Sequence, residues 1–141
     1  KKIKKNSARV YVLISDGECQ EGTTWETLLI ASKHNLKNLV VMVDYNKIQA
    51  LSKLKDALPL HKLEDKFRSF NWNCISVKNG HSFMSLKKAF SKIKKTKKPT
   101  AIILNTIKGR GIKEFENDPI WHARKLQGKE IEIGKMRLGL K

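Results

Sequence analysis

The sequence predicts an α/β fold, a parallel sheet flanked by helices, and three features of it carry that expectation. The apolar runs "VYVLI" (10–14), "LVVMV" (39–43), "CISV" (74–77) and "TAIIL" (100–104) are continuous rather than alternating, as in strands covered on both faces. Segments with helical spacing lie between them. Most of the runs end in turn chemistry: Ser15-Asp16-Gly17, Asp44-Tyr45-Asn46-Lys47 and Asn79-Gly80.

Taken in order, Val10 to Ile14 is the first strand. Thr23-Thr24-Trp25-Glu26 offers a hydroxyl N-cap with a carboxylate close behind. Trp25, Leu28, Leu29 and Ser32 then share one helical face, and Asn35 ends that helix. Leu39 to Val43 is the second strand, followed by a looser stretch to Pro59. Leu63 to Phe70 is a short amphipathic helix, and Cys74 to Val77 the third strand. Ser82 caps a helix with Phe83, Leu86, Ala89, Phe90 and Ile93 on one face. Its end carries Lys94, Lys95, Lys97 and Lys98, which suits the negative pole of the helix dipole. Thr100 to Leu104 is the fourth strand, and "KGRG" (108–111) a flexible basic loop. From Gly128 onward the patterning is weak, so residues 1–127 are expected to form a partial domain and 128–141 a loosely ordered C-terminal tail.

With 141 residues, 40% of them apolar, the chain can bury one core. No run approaches the roughly 20 apolar residues of a membrane span, and no signal-peptide pattern is present. Cys19 and Cys74 lack metal spacing, so a reducing, cytoplasmic setting is expected. The net charge of +17 raises the question of nucleic acid. The cations, however, are mostly lysines, spread along the chain and densest in Lys1-Lys2-Ile3-Lys4-Lys5 and Lys92 to Lys98. They lack interleaved aromatics, so a solvated surface is the preferred reading over nucleic-acid binding. The chain starts with Lys1, which points to a removed start or a piece of something longer.

Against this charge, Asp16, Glu18 and Glu21 cluster at one strand end. Ligands of open parallel sheets bind beyond the carboxyl ends of the strands. Asp16 offers a carboxylate oxygen, Asn46 an amide oxygen, and a backbone carbonyl just past Asn46 a third. Three oxygens leave places on an octahedral Mg²⁺ for phosphate, and Gly17 leaves space for phosphate near the backbone. On strand-end chemistry alone this cation site and a pair of self-capping turns are equally good readings.

"SDGECQEGTTWE" followed by "NLVVMVDYNKIQA" resembles the thiamine-diphosphate motif, Gly-Asp-Gly and then an Asn pair some thirty residues on. The intervening residues are similar to those of transketolase, in its separately encoded N-terminal subunit. "LEDKFRSFNWNCISV", "NGHSF", "KPTAIILNTIKGRG" and "ENDPIWHARK" carry the resemblance over residues 9–126. "ECQEG" and "KGRG…WH" favour transketolase over the two-oxo-acid dehydrogenases, which share the metal motif. The resemblance implies thiamine diphosphate and Mg²⁺ as cofactors, with Asp16, Asn46 and the Ile48 carbonyl as metal ligands. Gly17 would lie against the diphosphate. Glu18 falls among the cofactor-side residues of the motif, its own charge read as an exposed helix-entry carboxylate. Glu21 matches an acid linking two cofactor sites across a dimer interface, and His122 a histidine near the diphosphate and reacting centre; these two are the expected catalytic residues. Lys108 and Arg110 read equally as phosphate contacts or solvated charges, and His34, His61 and His81 as structural or exposed.

The implied activity is two-carbon ketol transfer between ketose and aldose phosphates, with the cofactor doing the electronic work. Two departures qualify it. Ser15 replaces the first Gly of Gly-Asp-Gly. A positive φ there would cost about 1–2 kcal/mol, whereas a serine that ends the strand fits with its hydroxyl near the site, and the second is expected. The resemblance also implies that an upstream segment and the pyrimidine-binding domain are missing. The expected partner is therefore a C-terminal, pyrimidine-binding transketolase subunit in a hetero-oligomer with a dimeric core, and the isolated chain is expected to be inactive. The alternative class is a catalytically incomplete remnant, or a basic binding module that keeps the fold without the activity.

Overall fold

The computed structural model describes residues 8–50 and 52–140, so the lysine run at the N-terminus lies outside the described residues. Four parallel strands form the sheet: β1 (Val10–Ser15), β2 (Leu39–Tyr45), β5 (Asn73–Val77) and β6 (Thr100–Asn105), in the spatial order β1-β2-β6-β5. A small antiparallel hairpin, β3 (Ile48–Gln49) with β4 (Ser52–Lys53), occupies the stretch read from sequence as loose. The register sets Ser15 beside Asp44 and Tyr45 beside Asn105. The carboxyl ends of β1, β2 and β6 are therefore level, and their loops meet on one side.

Alternation along the two central strands divides the core. Val41, Val43, Ala101 and Ile103 point to one face, where α1 (Gly22–Lys33) supplies Leu28 and Ala31 and α3 (Leu63–Ser69) supplies Leu63 and Phe67. Val40 and Ile102 point to the other, under Ala89 and Ile93 of α4 (Phe83–Ile93). Phe67 is fully buried, 5.7 Å from Trp25 and 6.2 Å from Trp72 between ring centroids. The Trp72 indole N–H donates to Leu28 O at 3.0 Å and so ties the start of β5 to α1. Ser82 caps α4 as expected, accepting from the Ser85 N–H.

Several elements differ from the sequence expectation. β1 is not covered on both faces. It is an open edge of the described sheet with β2 as its neighbour, and Val10, Tyr11, Val12 and Leu13 remain 38–63% exposed. Its continuous apolar run is that of an interior strand, but the described residues place nothing beyond it. Helix α1 begins earlier than expected, at Gly22 with Glu21 as N-cap, because a 3-10 turn (Glu18–Gln20) feeds directly into it. The Thr24 hydroxyl then donates to Glu18 O at 2.7 Å instead of capping. Asn35 ends α1 as expected, in the left-handed region at φ 48°. Phe83, expected on the buried face of α4, is 89% exposed. A short helix α2 (Leu54–Ala57) follows the hairpin.

The segment from Gly128 also departs from expectation, forming α5 (Lys129–Leu138). Arg124 pairs with Glu130 and Arg137 with Glu114, and Gly134 packs against Ile112 and Leu126. Weak apolar periodicity hid this helix because ion pairs and one glycine contact dock it. No helix among the described residues is long and apolar enough to cross a membrane.

Candidate functional site

The end of β1 is shaped by a reciprocal pair. The Ser15 N–H donates to Glu18 Oε2 at 2.7 Å, and the Glu18 N–H donates to Ser15 Oγ at 3.2 Å, the two bonds of a capping box. Ser15 has no positive φ, so serine at this position carries no backbone strain, in line with the strand-ending expectation. Its hydroxyl is engaged with Glu18, which is exposed at the helix entry as read from sequence.

The turn that follows buries Asp16 almost completely, at 1% exposure. Its Oδ2 accepts the Lys47 N–H at 2.6 Å, joining the end of β1 to the turn after β2. Lys47, the donor, takes the left-handed conformation, φ 67°. Burial pushes the Asp16 carboxyl above its ordinary range. The Lys47 and Gly17 N–H groups pull it back, neighbouring Asp44 raises it, and Lys108 lowers it. Among the described residues neither Asp16 nor Asp44 forms an ion pair with Lys or Arg. Two carboxylates, one buried, therefore share a region without a matched cation.

Asn46 serves both readings that its residue type leaves open. Its Oδ1 accepts the Ile48 N–H at 2.9 Å, an Asx turn. Its Nδ2 donates to Asp44 Oδ2 at 3.1 Å, which orients the amide and leaves Oδ1 a second lone pair. Asp44 in turn accepts from the Thr106 hydroxyl after β6. The sequence reading missed this Asp44–Thr106 contact; the signal available was an acid two residues before Asn46 at a strand end.

These groups line one cavity of about 480 Å³, walled by Asp16, Gly17, Glu18, Glu21, Asp44, Asn46, Ile48, Gln49, Lys108 and His122. Every site residue expected from the sequence lies on it. Gly17 has φ −61°, ordinary helical backbone, and a Cβ there would meet only Ser15 Oγ at 3.7 Å and Gln49 Oε1 at 3.8 Å, both from residues of the cavity wall. The missing side chain thus enlarges the cavity rather than relieving the backbone. His122, exposed at the end of a 3-10 turn (Pro119–His122), has Nδ1 3.4 Å from Lys108 Nζ. The Lys108 ammonium can only donate, so Nδ1 is the acceptor side of this contact. The loop that carries Lys108 turns on Gly109, at φ 74°, where a Cβ would lie 2.3 Å from Phe115 O. Arg110 instead pairs with Glu116, away from the cavity. His81 accepts a backbone N–H, while His61 lines a separate cavity beside Tyr45 and Lys47.

No group of three or more His, Cys, Asp or Glu gathers among the described residues, so the protein does not build a metal cage from these side chains alone. Carboxylate, amide and carbonyl oxygens are the donor types that could hold a hard cation, and Asp16, Asn46 and Ile48 line this cavity.

Comparison with known proteins places this chain in a family. Residues 2–141 match the model of the transketolase thiamine diphosphate binding domain. Human transketolase is 41% identical over 126 residues, covering 86% of this chain and 19% of that protein. A 6-deoxy-6-sulfo-D-fructose transketolase subunit from a Clostridium species is 38% identical over 118 residues, covering 83% of this chain and 42% of that one. The crystal structure of transketolase from Campylobacter jejuni superposes with a TM-score of 0.87 at 28% identity, over 96% of this chain and 21% of that chain. The chain thus spans about a fifth of these full-length transketolases and under half of the Clostridium protein. By sequence over nearly its whole length and by fold, it belongs to the transketolase family, in the thiamine diphosphate binding domain.

Proposed function

We propose that the chain is the thiamine-diphosphate- and Mg²⁺-binding part of a transketolase-type transferase, acting in two-carbon ketol transfer between ketose and aldose phosphates. The observation that carries this reading is the cavity shared by Asp16, Gly17, Asn46, Ile48, Lys108 and His122. Asp16, Asn46 and the Ile48 carbonyl would hold Mg²⁺, because hard oxygens suit that cation and the buried carboxylate lacks one. Gly17 leaves room for diphosphate, with Lys108 as a nearby counter-charge. When bound, the cofactor supplies the electron sink for carbon–carbon cleavage. His122 would present its Nε2 edge to a ligand oxygen, with Nδ1 turned to Lys108. Glu21, exposed at the cavity rim as the α1 N-cap, would be the acid that links two cofactor sites across a dimer interface.

A partner is part of the proposal: the C-terminal, pyrimidine-binding transketolase subunit, in a hetero-oligomer with a dimeric core. The related Clostridium protein, itself one subunit of its transketolase, supports a divided enzyme, and the open β1 edge supports a chain that must be covered. The isolated chain is then inactive. Two free cysteines favour a reducing, cytoplasmic setting.

Titrating thiamine diphosphate with Mg²⁺ by calorimetry, with and without the partner subunit, tests the proposal. Mg²⁺-dependent binding that disappears in Asp16→Ala is expected. No binding in any partner context would overturn it, and a salt-sensitive affinity for random DNA would favour a basic module instead.

A further inference from the structure

The turn between β5 and α4 reaches across the end of β6, and its histidine belongs to no role assigned above. Asn79 Oδ1 accepts the His81 N–H at 3.0 Å and shapes the turn. The Gly80 N–H donates to Asn105 O at 2.8 Å. Gly80 must be glycine on space: a Cβ would stand 2.7 Å from Thr106 Cγ2 and 3.1 Å from Asn105 O. His81 then closes the clamp, its Nε2 accepting the Ile107 N–H at 2.8 Å.

The segment held in this way bears on the cavity at two points. Thr106 donates its hydroxyl to Asp44, the residue that orients the Asn46 amide. Lys108 lies beside His122 Nδ1. A smaller cavity of about 320 Å³ is lined by His81, Ile107 and Gly109 and shares Asp44, Asn46 and Lys108 with the larger one. The segment has other anchors. The Asn117 N–H donates to Lys108 O at 3.0 Å, and the Thr106 N–H to Tyr45 O at 3.4 Å. Neither engages the Ile107 N–H, which lies between the two functional contacts.

We propose that His81 is a positioning residue for the cofactor cavity. Its unprotonated Nε2 accepts the Ile107 N–H and thereby holds Thr106 against Asp44 and Lys108 against His122. The inference rests on the transketolase-type reading for its functional consequence, but the hydrogen bond and its effect on residues 106–108 stand independently of it. The required chemistry is an acceptor at the Nε2 position. Glutamine, whose Oε1 reaches a similar place, preserves it; alanine removes it.

The test uses the whole chain as wild type, His81→Gln and His81→Ala, followed by amide exchange in ¹⁵N spectra and by thiamine diphosphate–Mg²⁺ titration. In His81→Ala, exchange at Ile107 is expected to rise about tenfold and cofactor affinity to fall about tenfold, the scale of one lost hydrogen bond. His81→Gln is expected to stay within about threefold of wild type in both. The proposal is overturned if His81→Ala leaves Ile107 exchange and the His122 ring resonances unchanged, or if His81→Gln behaves like His81→Ala. Should wild type bind no cofactor with or without partner, the functional reading fails, and the exchange and resonance arms alone decide the role of His81.

Discussion

Asp16 and Lys47 lie 31 positions apart, yet the carboxylate of one accepts the backbone N–H of the other at 2.6 Å. This contact ties the end of β1 to the turn after β2 and holds a carboxylate where burial opposes its charge. Because the folded Asp16 carboxyl is raised above its ordinary 3.8, it favours the fold only when protonated. That contribution is complete below the ordinary value and is lost as pH rises through the folded value. An ionised Asp16 in the metal-free chain is therefore held at a cost. Asp16→Asn, which keeps an acceptor for Lys47, is expected to raise the melting temperature of the metal-free chain at about pH 7. The advantage should shrink on acidification toward the ordinary carboxylate range. Calorimetric melting across pH checks this.

The Ser15–Glu18 capping pair makes a separate prediction. Ser15→Ala removes the hydroxyl bonds and is expected to cost about 0.5–2 kcal/mol in urea unfolding. Cofactor affinity should change little, since the two side chains are engaged with each other.

Gly80→Ala should be harmful out of proportion to its size. The added methyl meets Thr106 Cγ2 at 2.7 Å, so residues 105–108 must shift, at about 1–3 kcal/mol. Gly22→Ala is the control: its Cβ would meet only Glu26 Oε1 at 3.9 Å, inside a helix where alanine is the better former. Parallel urea titrations should separate the two in sign.

The open β1 edge leads to a prediction about association. Leu13, 63% exposed, is expected to accept lysine with a stability change within about 0.5 kcal/mol. Leu13→Lys should also lower concentration-dependent self-association in light scattering, because charge on an exposed edge discourages strand pairing.

Cys19 is buried, and burial pushes its thiol up to about 12; Cys74 rises to about 11 for the same reason. Both should resist thiol reagents at neutral pH in the folded chain and react on unfolding, as timed labelling in and out of urea would show.

How much of this was legible in sequence follows from the kind of signal each feature leaves. The strands β1, β2, β5 and β6 were legible because buried parallel strands write continuous apolar runs. That same signal misled at β1, since a run of Val and Leu says a strand is meant to be covered, not what covers it. The hairpin at Ile48 and Lys53 left no signal, being only two residues per strand. Helix α5 was hidden because Arg124–Glu130 and Arg137–Glu114 dock it through charges rather than a stripe. That Asp16 and Asn46 share one cavity was readable from strand-end chemistry, and that His122 joins them only from the family resemblance. Asp44, Thr106 and His81 were not, because their contacts span 62 and 26 positions and depend on the level ends of β2 and β6.

If one cavity at the ends of β1 and β2 binds thiamine diphosphate through Mg²⁺, adding both to the ¹⁵N-labelled chain, alone and with the proposed partner subunit, will perturb a defined set of amides. Mg²⁺-dependent shifts concentrated at Gly17, Lys47, Ile48, Lys108 and His122 are the predicted result. Shifts confined to the lysine-rich segment at 92–98, or the same shifts in Asp16→Asn, would contradict it.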